Sequence, residues 1–331
     1  MKKSKGKAKI KVGVVRGGPS SEYDVSLKTG GEVLKALPED YEGHDVLLSK
    51  NGEWYIRGFK KEPSKIFETV DVIFNALHGE FGEDGKSQQY FEAFNMPYTG
   101  SRIVPSSFAM NKHKASNLLL WSGLKVPEAI VFEGDDFFGL DPEYCASEAV
   151  RNMPPPWVCK PSSAGSSVGI NICNSFHELA NGISEASRYG NTVMVEEYIK
   201  GTEATCGVLE GYRGEDKYAL PVVEIIPPEN EFFNYKVKYD GSTREICPAS
   251  FKSSVKKEIE SLAIKAHELL GCRHYSRADF IVSDKGVYIL EVNTLPGLTS
   301  ESLFPKAANA AGLEFPHLLD HLVKLALNNK G

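Results

Sequence analysis

Two carboxylates, a guanidinium and an amide within one short stretch give this chain its sharpest chemical signal. SRADFIVSDKGVYILEVN (276–293) holds two runs rich in Val, Ile, Phe, Tyr and Leu, separated by Asp284-Lys285-Gly286. Three residues ending on Gly suit a hairpin loop whose last residue is left-handed. Such a loop puts Asp279 opposite Glu291 and Arg277 opposite Asn293. Side chains two apart share a strand face. Arg277, Asp279, Glu291 and Asn293 are therefore expected on one face, with Ala278, Phe280, Tyr288, Leu290 and Val292 filling the other. Carboxylates facing each other across a ladder repel. Either water with Arg277 as counter-charge, or a divalent cation, removes that penalty. All-oxygen donors suit Mg²⁺, so the expected site holds one or two Mg²⁺ ions on Asp279, Glu291 and Asn293.

The second signal is KPSSAGSSVGI (160–170). Lys160 closes a strand, and Gly165 and Gly169 let backbone come close to a ligand. The exposed amides and hydroxyls can then cradle phosphate; a flexible linker would read the same way. No GxxxxGK[ST] is present, and RGGPSSE (16–22) does not match GxGxxG, which argues against a dinucleotide site. Lys112 and Lys160 are candidate phosphate contacts. ALHGEFGEDG (76–85) gathers His78, three acids and three glycines at a strand's end, where ligands bind in open α/β sheets. NTLPGLTSESLF (293–304) brings the Gly297 amide and the Ser302 hydroxyl next to the expected metal, although Ser300 or Ser302 would equally cap a helix. Glu203, just after VMVEEYI, is placed either to bind a pair of ribose hydroxyls or to face solvent.

These groups need elements to hold them. KIKVGVV (9–15) reads as a buried strand ended by Gly17-Gly18-Pro19. Ser20 or Ser21 can cap a helix starting near Glu22. VDVIFNAL (70–77) is a second buried strand, and helical patterning resumes at QQYFEAF. Strand–loop–helix alternation of this kind predicts an α/β unit with a mostly parallel sheet. A helix through MNKHKASNLLLWSG follows, then strands AIVFEG, WVCKP and TVMVEEYI. The remainder reads as strands, helices and one long, aromatic-rich loop over 227–248, suited to covering a site.

Composition narrows the class. The chain has 331 residues; at about 150 residues per domain that allows two or three domains. Charged residues at 25% and hydrophobic residues at 41% suit a globular protein. The net charge of −6 argues against nucleic acid as a partner. No apolar run approaches the ~20 residues of a membrane span, and the start MKKSKGKAKIKVGVV lacks a signal-peptide core. The expectation is a cytoplasmic protein with no membrane partner. Its five N-terminal lysines read as a solvated tail. The six cysteines form no CxxC pair or zinc spacing and are expected to be reduced, mostly buried thiols.

Taken in order, GGPSSEYDVSL, ALHGEFGEDG, PYTGS, MNKHKA, CKPSSAGSSVGI, VEEYIKGTE, Lys238-Tyr239, CPA, SRADF and EVNTLPGLTSESLFPKAA run from about Val12 to about Leu319. This series resembles the D-alanine–D-alanine ligases of the ATP-grasp superfamily. The resemblance implies an α/β chain of three domains: a Rossmann-like N-terminal domain (1–100), a central ATP-grasp subdomain (101–195) and a C-terminal ATP-grasp subdomain (196–331). It implies ATP as co-substrate with two Mg²⁺ or Mn²⁺ ions per site, D-alanine as the other substrate, and a homodimer. The reaction would be ligation of two D-alanines through an acyl phosphate, for peptidoglycan. By this resemblance Glu22 holds the first D-alanine's ammonium, with His78 near its carboxylate. Lys112, Lys160 and Lys238 contact phosphates. Glu196, Glu197 and Ile199 line the adenine slot, partly through backbone groups, and Glu203 binds ribose. Ser166 links toward Glu22 and Tyr239. Arg277 and the Gly297 amide form the oxyanion hole, Ser302 and Leu303 bind the second D-alanine, and Asp279, Glu291 and Asn293 take the metals.

Some positions depart from the family's usual pattern. Arg102 and Pro105 replace small residues, NYKVKY replaces DYEAKY, and Glu197 stands where Lys is frequent. Tyr239 matches the residue that accompanies D-alanine as acceptor. The alternatives are a sister ligase using D-lactate or D-serine, and a nucleotide sensor without catalysis. Joint retention of Lys238, Arg277, Asp279, Glu291 and Asn293 speaks against the sensor.

Overall fold

Runs of Val and Ile that are apolar at consecutive positions must be covered on both faces, as parallel strands are. In the computed structural model, which describes residues 8–134, 139–163, 169–227 and 243–328, two such runs form neighbouring parallel strands of the first sheet. That unit comprises β1 (Ile10–Gly17), α1 (Tyr23–Ala36), β2 (Tyr41–Leu48), β3 (Trp54–Ile56), β4 (Phe59–Lys60), α2 (Pro63–Phe67), β5 (Val72–Asn75) and α3 (Lys86–Ala93). The strand order is β4-β3-β2-β1-β5. β1 pairs in parallel with β2 and β5, and β2–β3–β4 form an antiparallel edge. α1 starts at Tyr23, close to the expected place. The expected serine cap is not made: Ser20 Oγ instead donates to the His78 carbonyl (2.7 Å) and accepts from the Glu22 amide (3.0 Å). It ties together the two loops that carry Glu22 and His78.

Next come α4 (Ile103–Met110) and α5 (Lys112–Trp121). They are separated at Asn111, whose Oδ1 caps α5 by accepting from the Lys114 amide (3.0 Å). The second sheet is built from β6 (Ala129–Glu133), α6 (Pro142–Asn152), β7 (Trp157–Pro161), β8 (Asn171–Cys173), α7 (Phe176–Ala186) and β9 (Thr192–Glu197), in strand order β6-β9-β7-β8, all antiparallel. α6 and α7 cover one side of it.

The third sheet takes β10 (Thr202–Glu210), β11 (Lys217–Ala219), β12 (Val223–Ile226), β13 (Arg244–Ile246), then α8 (Ser253–Leu269), β14 (Tyr275–Ser283) and β15 (Gly286–Asn293). Its order is β13-β12-β10-β14-β15, with β11 also on β10. β13 lies inside the segment expected to be loop. Helices α9 (Leu303–Ala310) and α10 (Phe315–Asn328) end the described chain. The cores follow space rather than chain order. Leu119 and Leu124, from α5 and the turn after it, join Ile259 and Phe280 in the core of the third sheet. Leu318, Leu322 and Val323 of α10 return to the start of the chain and cover Val12, Val14 and Phe74. Among the described residues no helix is long and apolar enough to cross a membrane. All six cysteines are free, and five are buried.

Candidate active site

β14 and β15 bring together the residues expected of a metal face, by a route different from the expected one. The loop is two residues, not three: Ser283 pairs with Gly286, which sits in the ladder at φ 121°. After four pairs the ladder slips by one residue, with Phe280 opposite Ile289 and Asp279 opposite Glu291. The bulge lies at Leu290. The shorter loop and the bulge compensate, so Asp279–Glu291 and Arg277–Asn293 face each other as expected. Between turn and bulge the expected faces are exchanged. Val287 and Ile289 are the buried core residues there, while Leu290, expected in the core, lines a cleft beside Ile281. Bulges next to functional sites re-aim side chains in this way.

On the resulting face four hydrogen bonds converge on Asp279. Arg277 Nε and Nη2 each donate to it at 2.8 Å, Thr205 Oγ1 at 2.7 Å and Asn293 Nδ2 at 3.1 Å. Glu291 pairs with Lys112 Nζ at 3.1 Å. Lys112 is the first residue of α5, and its backbone N–H donates to the Ser162 carbonyl (2.9 Å), so the end of β7 is tied to this face. Thr205 and this backbone bridge carried no motif in the sequence, because both depend on strands far apart in the chain.

Beyond Leu290 the cleft has a volume of about 600 Å³ and opens between the second and third sheets. Glu196, Glu197, Ile199, Glu203 and Lys160 all line it. Lys160 Nζ and Glu196 Oε2 lie 2.7 Å apart and are 7% and 6% exposed, a pair hidden from solvent. Glu197 is committed to structure: its N–H donates to the Glu128 carbonyl (2.9 Å) and its carboxylate accepts from the Glu128 N–H (3.0 Å).

On the first sheet, Glu22 and His78 are both buried. His78 Nε2 lies 2.9 Å from Thr29 Oγ1, and Nδ1 lies 3.7 Å from Glu83. Burial works against protonating the imidazole, but Glu83 and Glu22 outweigh it and hold its pKa above the usual value. Gly79 follows at φ 67°, with the Glu22 carboxylate so close that a Cβ there would stand 2.6 Å from Oε2. Glu83 also borders a small pocket with Lys112, Glu291 and Asn293. It therefore bridges the first sheet to the acidic face, a role its motif did not single out.

The loop 294–302 completes the surround. Ser302 stands at the N-cap of α9 but makes no side-chain cap; its Oγ accepts from the Thr299 N–H (3.1 Å). Gly297 lies against the same hydroxyl. Leu303 packs on Ile225 of β12. Ser166, Lys238 and Tyr239 lie outside the described residues, as does most of the expected 227–248 cover.

Comparison with known proteins fits this geometry. A family model described as D-ala D-ala ligase C-terminus matches residues 118–324, and one described as D-ala D-ala ligase N-terminus matches residues 56–101. The D-alanine–D-alanine ligase of Pelotomaculum thermopropionicum is 37% identical over 324 residues, covering 97% of this chain and 98% of that protein.

The chain belongs to the D-alanine–D-alanine ligase family.

The ligase of Anaeromyxobacter sp. is 41% identical over 318 residues, with 95% of this chain and 96% of that protein covered. Among solved structures, the D-alanine–D-alanine ligase of Coxiella burnetii superposes with a TM-score of 0.82 at 25% identity, over 98% of this chain and 95% of that one. The VanG D-Ala:D-Ser ligase of Enterococcus faecalis gives 0.81 at 30% identity, over 96% and 99%. The expected α/β ATP-grasp architecture is thus the observed one.

Proposed function

We propose that this chain is an ATP-dependent, ADP-forming ligase that joins two D-alanines into D-alanyl-D-alanine for peptidoglycan synthesis. The observation that carries the reading is the Asp279–Glu291 cross-strand pair, with Arg277 and Lys112 as its counter-charges. A nucleotide sensor has no need for a guanidinium held rigid at such a place.

In this reading the first D-alanine carboxylate attacks the γ-phosphorus of ATP, and the bond to ADP breaks. The second D-alanine's amine then attacks the acyl carbon, the carbonyl oxygen takes up negative charge, and phosphate leaves as the amine loses its proton. Glu22 holds the first substrate's ammonium and His78 its carboxylate. Lys112, Lys160 and Lys238 hold phosphates in line, since phosphoryl transfer depends chiefly on positioning and charge. Ile199 and the Glu196 and Glu197 strand line the adenine slot, and Glu203 takes the ribose. Arg277 and the Gly297 N–H offset the oxyanion, where a single donor is worth about 10²–10³ in rate. Ser302 and Leu303 bind the acceptor, and Ser166 acts together with Glu22 and Tyr239. Asp279, Glu291 and Asn293 offer hard oxygen donors on a face already built to accept positive charge, which fits Mg²⁺ or Mn²⁺. When bound, such ions would neutralise charge on the phosphates. The proposed domains are 1–100, 101–195 and 196–331, with α5 packed into the core of the third sheet; a cytoplasmic homodimer is the expected form.

The test is phosphate release from ATP and Mg²⁺ with and without D-alanine, with products identified by mass. L-alanine, and D-alanine mixed with D-lactate or D-serine, run alongside. D-alanine-dependent release yielding D-alanyl-D-alanine is the expected result; no release with any amino acid would overturn the reading. A dominant D-alanyl-D-serine product would move the chain toward the VanG-like ligase it resembles at 30% identity.

Gly79→Ala gives a second test of the first-substrate pocket. The new methyl meets Glu22 and sits on backbone that disfavours a side chain. The KM for the first D-alanine should rise about tenfold while that for ATP stays near its original value. Equal changes in both would move the first substrate away from Glu22.

A further inference from the structure

β14, which carries Arg277 and Asp279, is entered through a loop locked to the first sheet. Arg273 Nε donates to the Gly100 carbonyl (2.9 Å), Nη2 donates to the Tyr98 carbonyl (3.1 Å), and its backbone N–H donates to Ser101 Oγ (3.1 Å). Its guanidinium also lies 4.7 Å from the Tyr98 ring centre. In return, the Gly100 N–H donates to His274 Nδ1 at 3.2 Å. His274 is fully buried, and its φ of 67° is one a side chain seldom adopts. Its own N–H donates to Glu210 Oε2 (2.7 Å), whose Oε1 lies 3.3 Å from His267 Nε2, and His267 Nδ1 lies 2.7 Å from Ser276 Oγ.

Because Nδ1 accepts from Gly100, the ring must be neutral. Burial, then Arg273, His267, His321 and Arg102, push its pKa down to about 2, so the ring remains an acceptor at neutral pH. Strained backbone survives only where the surroundings over-determine it. Here it supplies a partner to a buried N–H that would otherwise lack one. The other side of the junction is equally short. Thr99 Oγ1 accepts from the Asn75 N–H (3.0 Å) at the end of β5, three residues before His78. Arg277 stands three residues after His274. The unusual Pro105 packs near Gly271 at the back of the same loop.

We propose that His274 and Arg273 are positioning residues that set the first-substrate pocket, Glu22 and His78, at its working distance from Arg277. The proposal rests on the ligase reading for its kinetic part only. His274→Ala removes the acceptor from the Gly100 N–H. His274→Asn keeps an acceptor and tolerates left-handed backbone. Arg273→Lys keeps the charge and loses the fork, and serves if the alanine variant does not fold.

Hydrogen exchange at the Gly100 amide reads the clamp without activity. In His274→Ala that exchange should quicken about tenfold or more. The KM for the first D-alanine should rise about tenfold and kcat should fall, while the KM for ATP moves less than about twofold. His274→Asn should restore both readouts to within about threefold, and Arg273→Lys should shift them in the alanine direction. Unchanged Gly100 exchange, a parallel rise in the ATP KM, or an asparagine variant no better than alanine would overturn the proposal. If the unsubstituted chain shows no D-alanine-dependent phosphate release, the ligase reading fails instead, and Gly100 exchange alone judges the clamp.

Discussion

Glu291→Gln should reduce D-alanine-dependent phosphate release by about 10³-fold while leaving the fold intact. The substitution keeps size and shape and removes one negative charge from the Asp279–Glu291 pair. A cation held on this face, as proposed above, would be worth several kcal/mol to the charged transition states, and about 4 kcal/mol corresponds to that rate factor. Lys112 would lose the charge of its partner at 3.1 Å, but Glu291 is 28% exposed, so water and the amide oxygen can replace the contact. Stability should therefore change by less than about 0.5 kcal/mol. The measurement is kcat beside a thermal scan. Near-normal turnover would remove Glu291 from the charge balance of the reaction. A large fall in melting temperature would mean that its role is structural.

The second large effect is on stability. Lys160 and Glu196 face each other at 2.7 Å with almost no solvent access. Removing one member of a buried pair leaves the other charge uncompensated and costs about 3–5 kcal/mol, whereas replacing both by apolar residues is often close to neutral. Lys160→Met should therefore lower the denaturation midpoint strongly, and Lys160→Met with Glu196→Leu should recover most of the loss. ATP binding should be weak in both, because the ammonium is gone in each. If the single and double variants were equally stable, the pair would be solvated in solution. If the double variant bound ATP normally, Lys160 would not contact phosphate.

Much of the site could be read in the sequence because its parts are local. Lys160 closes a strand, His78 follows one, and Asp279 and Glu291 belong to adjacent strands of one hairpin. The hairpin also shows the limit of such reading. The Gly of Asp284-Lys285-Gly286 suits a loop, but ladder pairing took it, and nothing in VYILEV marks a bulge at Leu290. The two departures cancel at Asp279–Glu291 and show themselves in the face that Leu290 and Ile289 present. Thr205 on Asp279, Glu83 at the junction, and His274 on Gly100 were not legible. Each depends on residues brought together from stretches far apart in the chain, and no spacing within one stretch encodes that. Ser20 was legible as a polar residue before a helix, but its bond went to the His78 carbonyl rather than to the helix end.

The return of α10 to the first sheet bears on how the polypeptide comes off the ribosome. Val12, Val14 and Phe74 are covered by Leu318, Leu322 and Val323. Until those last leucines emerge, α1, through Val33, gives that side of the earliest-made sheet only part of its cover. At ordinary elongation speeds the wait is on the order of tens of seconds. During that time part of an apolar face is open to other nascent chains, so this protein's yield in the cell should depend on holdase chaperones more than its finished stability would suggest.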